Sequence, residues 1–275
     1  LSLHDALPIC YGIILKDEPA LVGVGERIRR IGEPIVAVAA ETLEIAEQAI
    51  ELIKVDIEEL EPIVTIEQAI AHDAVKLHDP KPNDIGGAKI KKGNVEEGFK
   101  QCEYIVESYY KTPVVDHSAI EPDAGVAQYI DDVMTVWCST QNVHYDQRDV
   151  ARLLNMPLHK VRVIQSTTGG GFGGKLDVTV QAQLCLLAYK TRRPVKMVMT
   201  REEYYTCTGK RHPYCVNVKT GMSKEGKLLA HELTIYADTG AYTSYGPAVL
   251  TRAATHCGGP YEIPNISAVT HTVYT

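Results

Sequence analysis

Gly169-Gly170-Gly171-Phe172-Gly173-Gly174-Lys175 packs five glycines into seven residues. Glycine has no Cβ, so backbone N–H groups in such a loop can press close against a bound group. Ordering so many glycines costs conformational entropy, which a plain connector has no reason to spend. The preceding Val161-Arg162-Val163-Ile164-Gln165 is rich in β-branched residues and reads as a strand. Leu176 to Tyr189, rich in Ala, Gln and Leu, reads as a helix with Asp177 in its first turn. Strand, glycine loop and helix N-terminus together favour an anionic or acceptor-rich ligand.

Two phosphate-binding patterns fit the glycines and fail elsewhere. Gly169, Gly174 and Lys175 meet the spacing of a P-loop, but Leu176 stands where Ser or Thr must hold magnesium. Gly169, Gly171 and Gly174 match the dinucleotide fingerprint. That pattern wants an acidic residue about 20 positions on, where the chain has the basic Lys190-Thr191-Arg192-Arg193.

The elements that must position the loop come in two groups. Ile35–Ala39 reads as a strand, Thr42–Ile53 as a helix with Leu43, Ala46, Ala49 and Ile50 at helical spacing, and Ile53–Ile57 as a half-buried strand. Residues 66–97, with prolines, glycines and charges, read as a connector. Beyond it, Gln101–Thr112, Gly125–Ile130 and Thr135–Ser139 read as strands, and Tyr145–Asn155 as a helix stopped before Pro157. Thr200 to Glu203 forms a capping box. Tyr214–Thr220 and Leu228–Ala237 form a hairpin across Ser223 to Gly226.

An ordered set of segments resembles the molybdenum-cofactor subunit of the xanthine dehydrogenase and aldehyde oxidase family. They are His117-Ser118-Ala119-Ile120-Glu121-Pro122, Ser139-Thr140-Gln141-Asn142, the glycine loop, Lys190 to Lys196, and Lys210-Arg211-His212-Pro213. Asp238 to Tyr242 and Pro260 to Asn265 complete the set. The resemblance implies an α+β chain: the end of an α/β hammerhead domain over residues 10–65, then the first part of a molybdopterin-binding domain over 98–275. It implies a hydroxylase that takes oxygen from water, in which a pterin, in its plain or cytosine dinucleotide form, holds molybdenum without a direct protein ligand. Gln141 then hydrogen-bonds an oxo ligand of the metal. Gly170, Gly171, Phe172 and Gly173 lie beside the pterin, with Gln141 and Phe172 flanking the metal. Leu176 is substrate-proximal. Purine-hydroxylating animal members carry glutamate at the Leu176 position, so purine, other N-heterocycle and aldehyde substrates all stay open.

The resemblance further implies 2Fe-2S and FAD centres on partner subunits or domains, a small-molecule substrate, and a dimer of the complete complex. It places the general-base glutamate beyond Thr275, so no catalytic residue is assigned within the chain, and the chain alone is expected to be inactive. Each residue has a plainer reading. Gln141 satisfies a strand end, Phe172 is a core aromatic, Lys175 is a solvated charge at a helix start, and His117 is structural.

The 275 residues carry a formal net charge of -7, which argues against nucleic acid as the main partner. No apolar run approaches the roughly 20 residues of a membrane helix, so no membrane partner is expected. Seven cysteines, an odd number without close pairing, argue against a disulfide framework or an iron–sulfur cluster in this chain and suit a cytoplasmic setting. Leu1–Ile9 reads as a non-native leader.

Overall fold

The structure, a computed structural model, describes residues 10–275; the expected leader Leu1–Ile9 lies outside them. Strands β1 (Cys10–Tyr11) and β2 (Glu18–Pro19) pair with each other, and helices α1 (Leu43–Glu51) and α2 (Ile66–Ala69) follow. Strand β3 (Lys89–Lys92), helix α3 (Val95–Lys100) and strand β4 (Tyr104–Lys111) precede β5 (Ala124–Ile130) and β6 (Val133–Cys138). Then come α4 (Val143–Leu153), β7 (Val161–Gln165), α5 (Gln181–Thr191), β8 (Val195–Val198) and α6 (Arg201–Cys207). The hairpin β9 (Tyr214–Met222) and β10 (Leu228–Gly240) leads to α7 (Gly246–Thr255) and β11 (Asn265–Tyr274). The expected α+β class holds.

The chain divides into two compact units. One contains the described residues through Glu61 together with Asp116–Arg211. Its four-stranded sheet has the order β7-β6-β5-β8, parallel only between β6 and β7. Met134, Val136 and Cys138 alternate along β6 and are buried, as a half-buried strand requires. Gln181 through Ala188 of α5 are all buried. The helix packs on that sheet, with Leu184, Cys185 and Ala188 against Ala127, Met134 and Val136. Asn142 caps α4, its side chain accepting from Tyr145 N–H.

The other unit contains Pro62–Val115 and His212–Thr275. Its five-stranded sheet has the order β3-β11-β10-β9-β4. Leu233, Ile235, Ala237 and Ala268 form its core with Leu250 and Ala254 of α7. The β9–β10 hairpin forms as expected, and Gly226 takes φ +82 in its turn. So does the capping box at Thr200, where the Thr200 and Glu203 side chains each meet the other's backbone N–H.

Several expectations are corrected. Ile35–Ala39 and Ile53–Ile57 are not strands. Neither segment has a neighbouring strand among the described residues, and an unpaired strand has no ladder to satisfy its backbone. Residues 66–97 are more than a connector, since they supply α2 and the edge strand β3. The helix after the glycine loop starts at Gln181, not Leu176, and Asp177 lies outside it. Val178 and Val180 are β-branched, and the Gln181 side chain accepts from Thr179 N–H, a local bond that competes with helix over residues 176–180, which run as bends into α5.

Candidate functional site

Glycine is required along the loop for two separate reasons. Gly170 and Gly173 take φ +102 and +105, a region that side chains avoid. At Gly171 the obstacle is space, because a Cβ there would lie 2.5 Å from Gln141 Oε1. Gly174 N–H donates to Gly171 C=O at 2.8 Å and closes the turn. Phe172 is the non-glycine exception at φ +54, and the residue is 75% exposed. It is therefore not the core aromatic of the plainer reading. A strained residue with an exposed ring points to a contact outside the fold.

Gln141 follows β6 and is held by the loop. Its backbone N–H donates to Lys175 C=O at 2.9 Å. Its Oε1 accepts from Gly173 N–H at 2.8 Å and Lys175 N–H at 3.3 Å. Backbone donors must meet oxygen rather than nitrogen, so they set which way the carboxamide faces. The amide NH₂ is left as a donor on the exposed side. The N–H groups of Gly170, Gly171 and Phe172 have no acceptor among the described residues. The site is thus a cluster of unspent donors beside an exposed ring.

Beneath the loop lies a charged layer not anticipated from sequence. The Lys175 side chain is buried, with Nζ 2.8 Å from Glu121 Oε2 and 2.8 Å from Ser139 Oγ. Ser139 Oγ in turn donates to Glu121 Oε2 at 2.7 Å, and Gly169 N–H does the same at 2.7 Å. Burial pushes the Glu121 carboxyl up, but the hydrogen bonds from Lys175, Gly169 and Ser139 outweigh it and hold it below its ordinary value. The reading of Lys175 as a solvated charge is corrected. A sequence signal existed, since lysine at a helix start would oppose the dipole.

His117 packs against the far end of the loop, where a Cβ on Gly174 would lie 2.9 Å from its Nδ1. Burial lowers its pKa against the pull of Asp116, and the charge of Lys210 adds a smaller push downward. Leu176 is partly buried, one residue past Lys175.

The phosphate readings fail on geometry. Residues 176–180 separate the loop from α5, so the helix terminus does not open at the loop, and Lys175 is committed to Glu121 rather than a phosphate. The ligand the loop favours is rich in acceptors, without a helix dipole behind it. Among the described residues no group of His, Cys, Asp or Glu is arranged to hold a metal ion.

The family model of the molybdopterin cofactor-binding domain matches residues 77–275. The chain belongs to that family. Over 267 residues it is 48% identical to the nicotinate dehydrogenase large molybdopterin subunit of Eubacterium barkeri, covering 96% of this chain and 62% of the relative. It is 42% identical to a probable xanthine dehydrogenase subunit of Bacillus subtilis, covering 96% of this chain and 35% of the relative. The aldehyde oxidoreductase of Desulfovibrio gigas superposes with a TM-score of 0.93 at 30% identity, covering 98% of this chain and 31% of the other. The chain therefore spans less than two thirds of each of these relatives. The loop of this molybdopterin cofactor-binding chain fits such a group. A pterin is planar and rich in acceptors, and the open N–H groups and the exposed Phe172 ring can meet it, while the space beside the buried Gly171 is taken by the Gln141 carboxamide.

Proposed function

We propose that this chain is part of a molybdenum hydroxylase that oxidises an N-heterocycle or an aldehyde with water as oxygen source. One observation carries the proposal: the Gln141 carboxamide is locked by Gly173 and Lys175 N–H with its NH₂ turned out beside the open donors of the glycine loop. The bound cofactor, molybdenum–molybdopterin or its cytosine dinucleotide form, supplies the two-electron redox chemistry. Gln141 would help hold that cofactor through its free amide donor, with no rearrangement needed on binding because Gly173 and Lys175 N–H already fix the carboxamide. Gly170, Gly171 and Phe172 offer backbone N–H groups to the pterin, and Gly173 keeps the turn tight. The exposed Phe172 ring would pack against the cofactor and keep water from it. No protein ligand to molybdenum is needed in this arrangement.

Leu176 lies toward the substrate. Leucine accepts no N–H and shares no proton, so it favours substrates held by shape. The 48% identity to a nicotinate dehydrogenase subunit supports an N-heterocyclic ring as the first substrate to test. In this reading residues 10–65 are the end of a hammerhead-type domain, and 98–275 lie within the cofactor domain. The 2Fe-2S and FAD centres sit on partner subunits or on further domains, in a dimeric cytoplasmic complex. Among the described residues no helix is long and apolar enough to cross a membrane.

The deciding experiment is purification of the full-length protein with its partner subunits from molybdate-fed cells. Stoichiometric molybdenum and pterin are expected, with hydroxylation of nicotinate, xanthine or an aldehyde. A preparation that carries its partners and contains no molybdenum would sink the proposal. The isolated 275-residue chain is expected to show no turnover.

A further inference from the structure

The side chains of Glu121, Ser139 and Lys175 have no part in the roles above, yet they form a single layer directly under the loop. We propose that the buried Lys175–Glu121 ion pair, closed by Ser139, is the positioning device that sets the Gln141 carboxamide and the loop N–H groups against the cofactor. This rests on the cofactor reading given above.

The argument is geometric. Glu121 Oε2 takes Gly169 N–H at 2.7 Å and Lys175 Nζ at 2.8 Å, so one oxygen ties together the first and last residues of the glycine run. Lys175 also brackets Gln141 through its backbone: its C=O accepts Gln141 N–H and its own N–H reaches Gln141 Oε1. A shift of Lys175 must therefore carry the carboxamide with it. The Lys175 side chain is 0% exposed, and a buried ammonium holds its place only where its protons meet acceptors. Glu121 is fixed in turn. Arg201 Nη1 donates to Ala119 C=O at 2.9 Å and Nη2 to Ile120 C=O, pinning the segment that carries the carboxylate. A Cβ on Gly169 would lie 2.6 Å from Glu121 Cβ, so the loop sits as close to Glu121 as a backbone allows.

Stability alone does not account for this pair. Neutral, well-packed replacements for buried ion pairs are often as stable or more so. What a neutral pair would lose here is the directional grip on both ends of the loop.

The test is the double variant Glu121→Gln/Lys175→Met in the complete enzyme with its partner subunits. Removing both charges strands neither, so an unchanged melting temperature is expected. A fall in kcat of roughly 10- to 100-fold is expected, because small misplacements of positioned groups cost on that order. KM should change much less, and the EPR spectrum of the molybdenum centre should change shape. Loss of molybdenum at an unchanged melting temperature would support the same role. A double variant with wild-type kcat and wild-type EPR spectrum would overturn it, leaving the pair a stabilising contact. If the double variant does not fold, Ser139→Ala decides: an altered spectrum with lowered kcat supports the role, and a wild-type spectrum overturns it. Wild-type enzyme without molybdenum would instead remove the cofactor reading itself, so the two failures are separable.

Discussion

Two networks of buried polar side chains lie in the same unit and behave in opposite ways. Under the glycine loop, Glu121 meets Lys175, Ser139 and Gly169 N–H and is held below its ordinary pKa, so it is charged. Deeper in the unit, Asp123 Oδ1 accepts from Thr179 Oγ at 2.7 Å while its Oδ2 has no partner among the described residues. Gln181 Nε2 donates to Asp146 Oδ2 at 3.3 Å. Burial pushes Asp123 up, and it pushes Asp146 up to about 7 against the pull of Thr140 and Gln181. Asp123 stands only two positions from Glu121 in sequence. The difference between them is contact with the buried lysine: Lys175 Nζ hydrogen-bonds Glu121, whereas Asp123 is hydrogen-bonded by Thr179 and feels the Lys175 charge without such a bond. Where the fold puts a cation in hydrogen-bond contact, it keeps a charge at the loop; where the hydrogen bonds come from neutral donors, burial pushes the carboxyls toward the neutral form.

The largest test of this contrast is to strand the lysine. Glu121→Gln leaves an ammonium buried without its counter-charge and is expected to cost about 3–5 kcal/mol in a denaturant melt. Lys175→Met should cost clearly less, because the Glu121 side chain is 31% exposed and water can take over its charge. Equal costs would mean that the pair is not the asymmetric, lysine-buried one described.

Gly171→Ala leaves both networks intact and strikes what the first one holds. Its Cβ must displace the Gln141 carboxamide, since they would lie 2.5 Å apart. Molybdenum-dependent turnover of the full enzyme is expected to fall about 10²-fold with little change in melting temperature. Near-normal turnover would show that the locked carboxamide is not needed.

The smallest effect concerns the uncharged network and is read from pH. Asp146 has its folded pKa raised from 3.8 to about 7. The folded state therefore binds the proton more tightly than the unfolded chain. Its contribution to stability is largest at low pH and declines as pH rises from roughly 4 to 7. Asp146→Asn, which is always neutral, should remove that decline. Measured as the difference between variant and wild type, the change across this window is expected to be about 1–3 kcal/mol. A difference that does not vary with pH would mean that Asp146 is ionised in the fold.

Much of this is legible in the sequence. The β-branched run of β7, the alternation of β6, the hairpin of β9 and β10 and the capping box at Thr200 depend on contacts within an element or between near neighbours. The run from Gly169 to Lys175 and the block holding Gln141 are likewise visible as candidate chemistry. The failures share one cause. Ile35–Ala39 and Ile53–Ile57 have strand-like patterns, but a strand exists only if another lies beside it. Leu176–Val180 is helical by composition, and local competition from Gln181 and Thr179 delays the helix.

By itself the sequence determined the family, the glycine loop and the candidate residues for a cofactor site, because these reside in residue type and order along a short stretch. Only the tertiary structure decided that Lys175 is buried rather than solvated, and that its partner is Glu121, 54 positions away. It also decided which face of the Gln141 carboxamide is free. Whether a charge is held or neutralised depends on what burial brings against it, and that is a property of the fold rather than of neighbours in the chain.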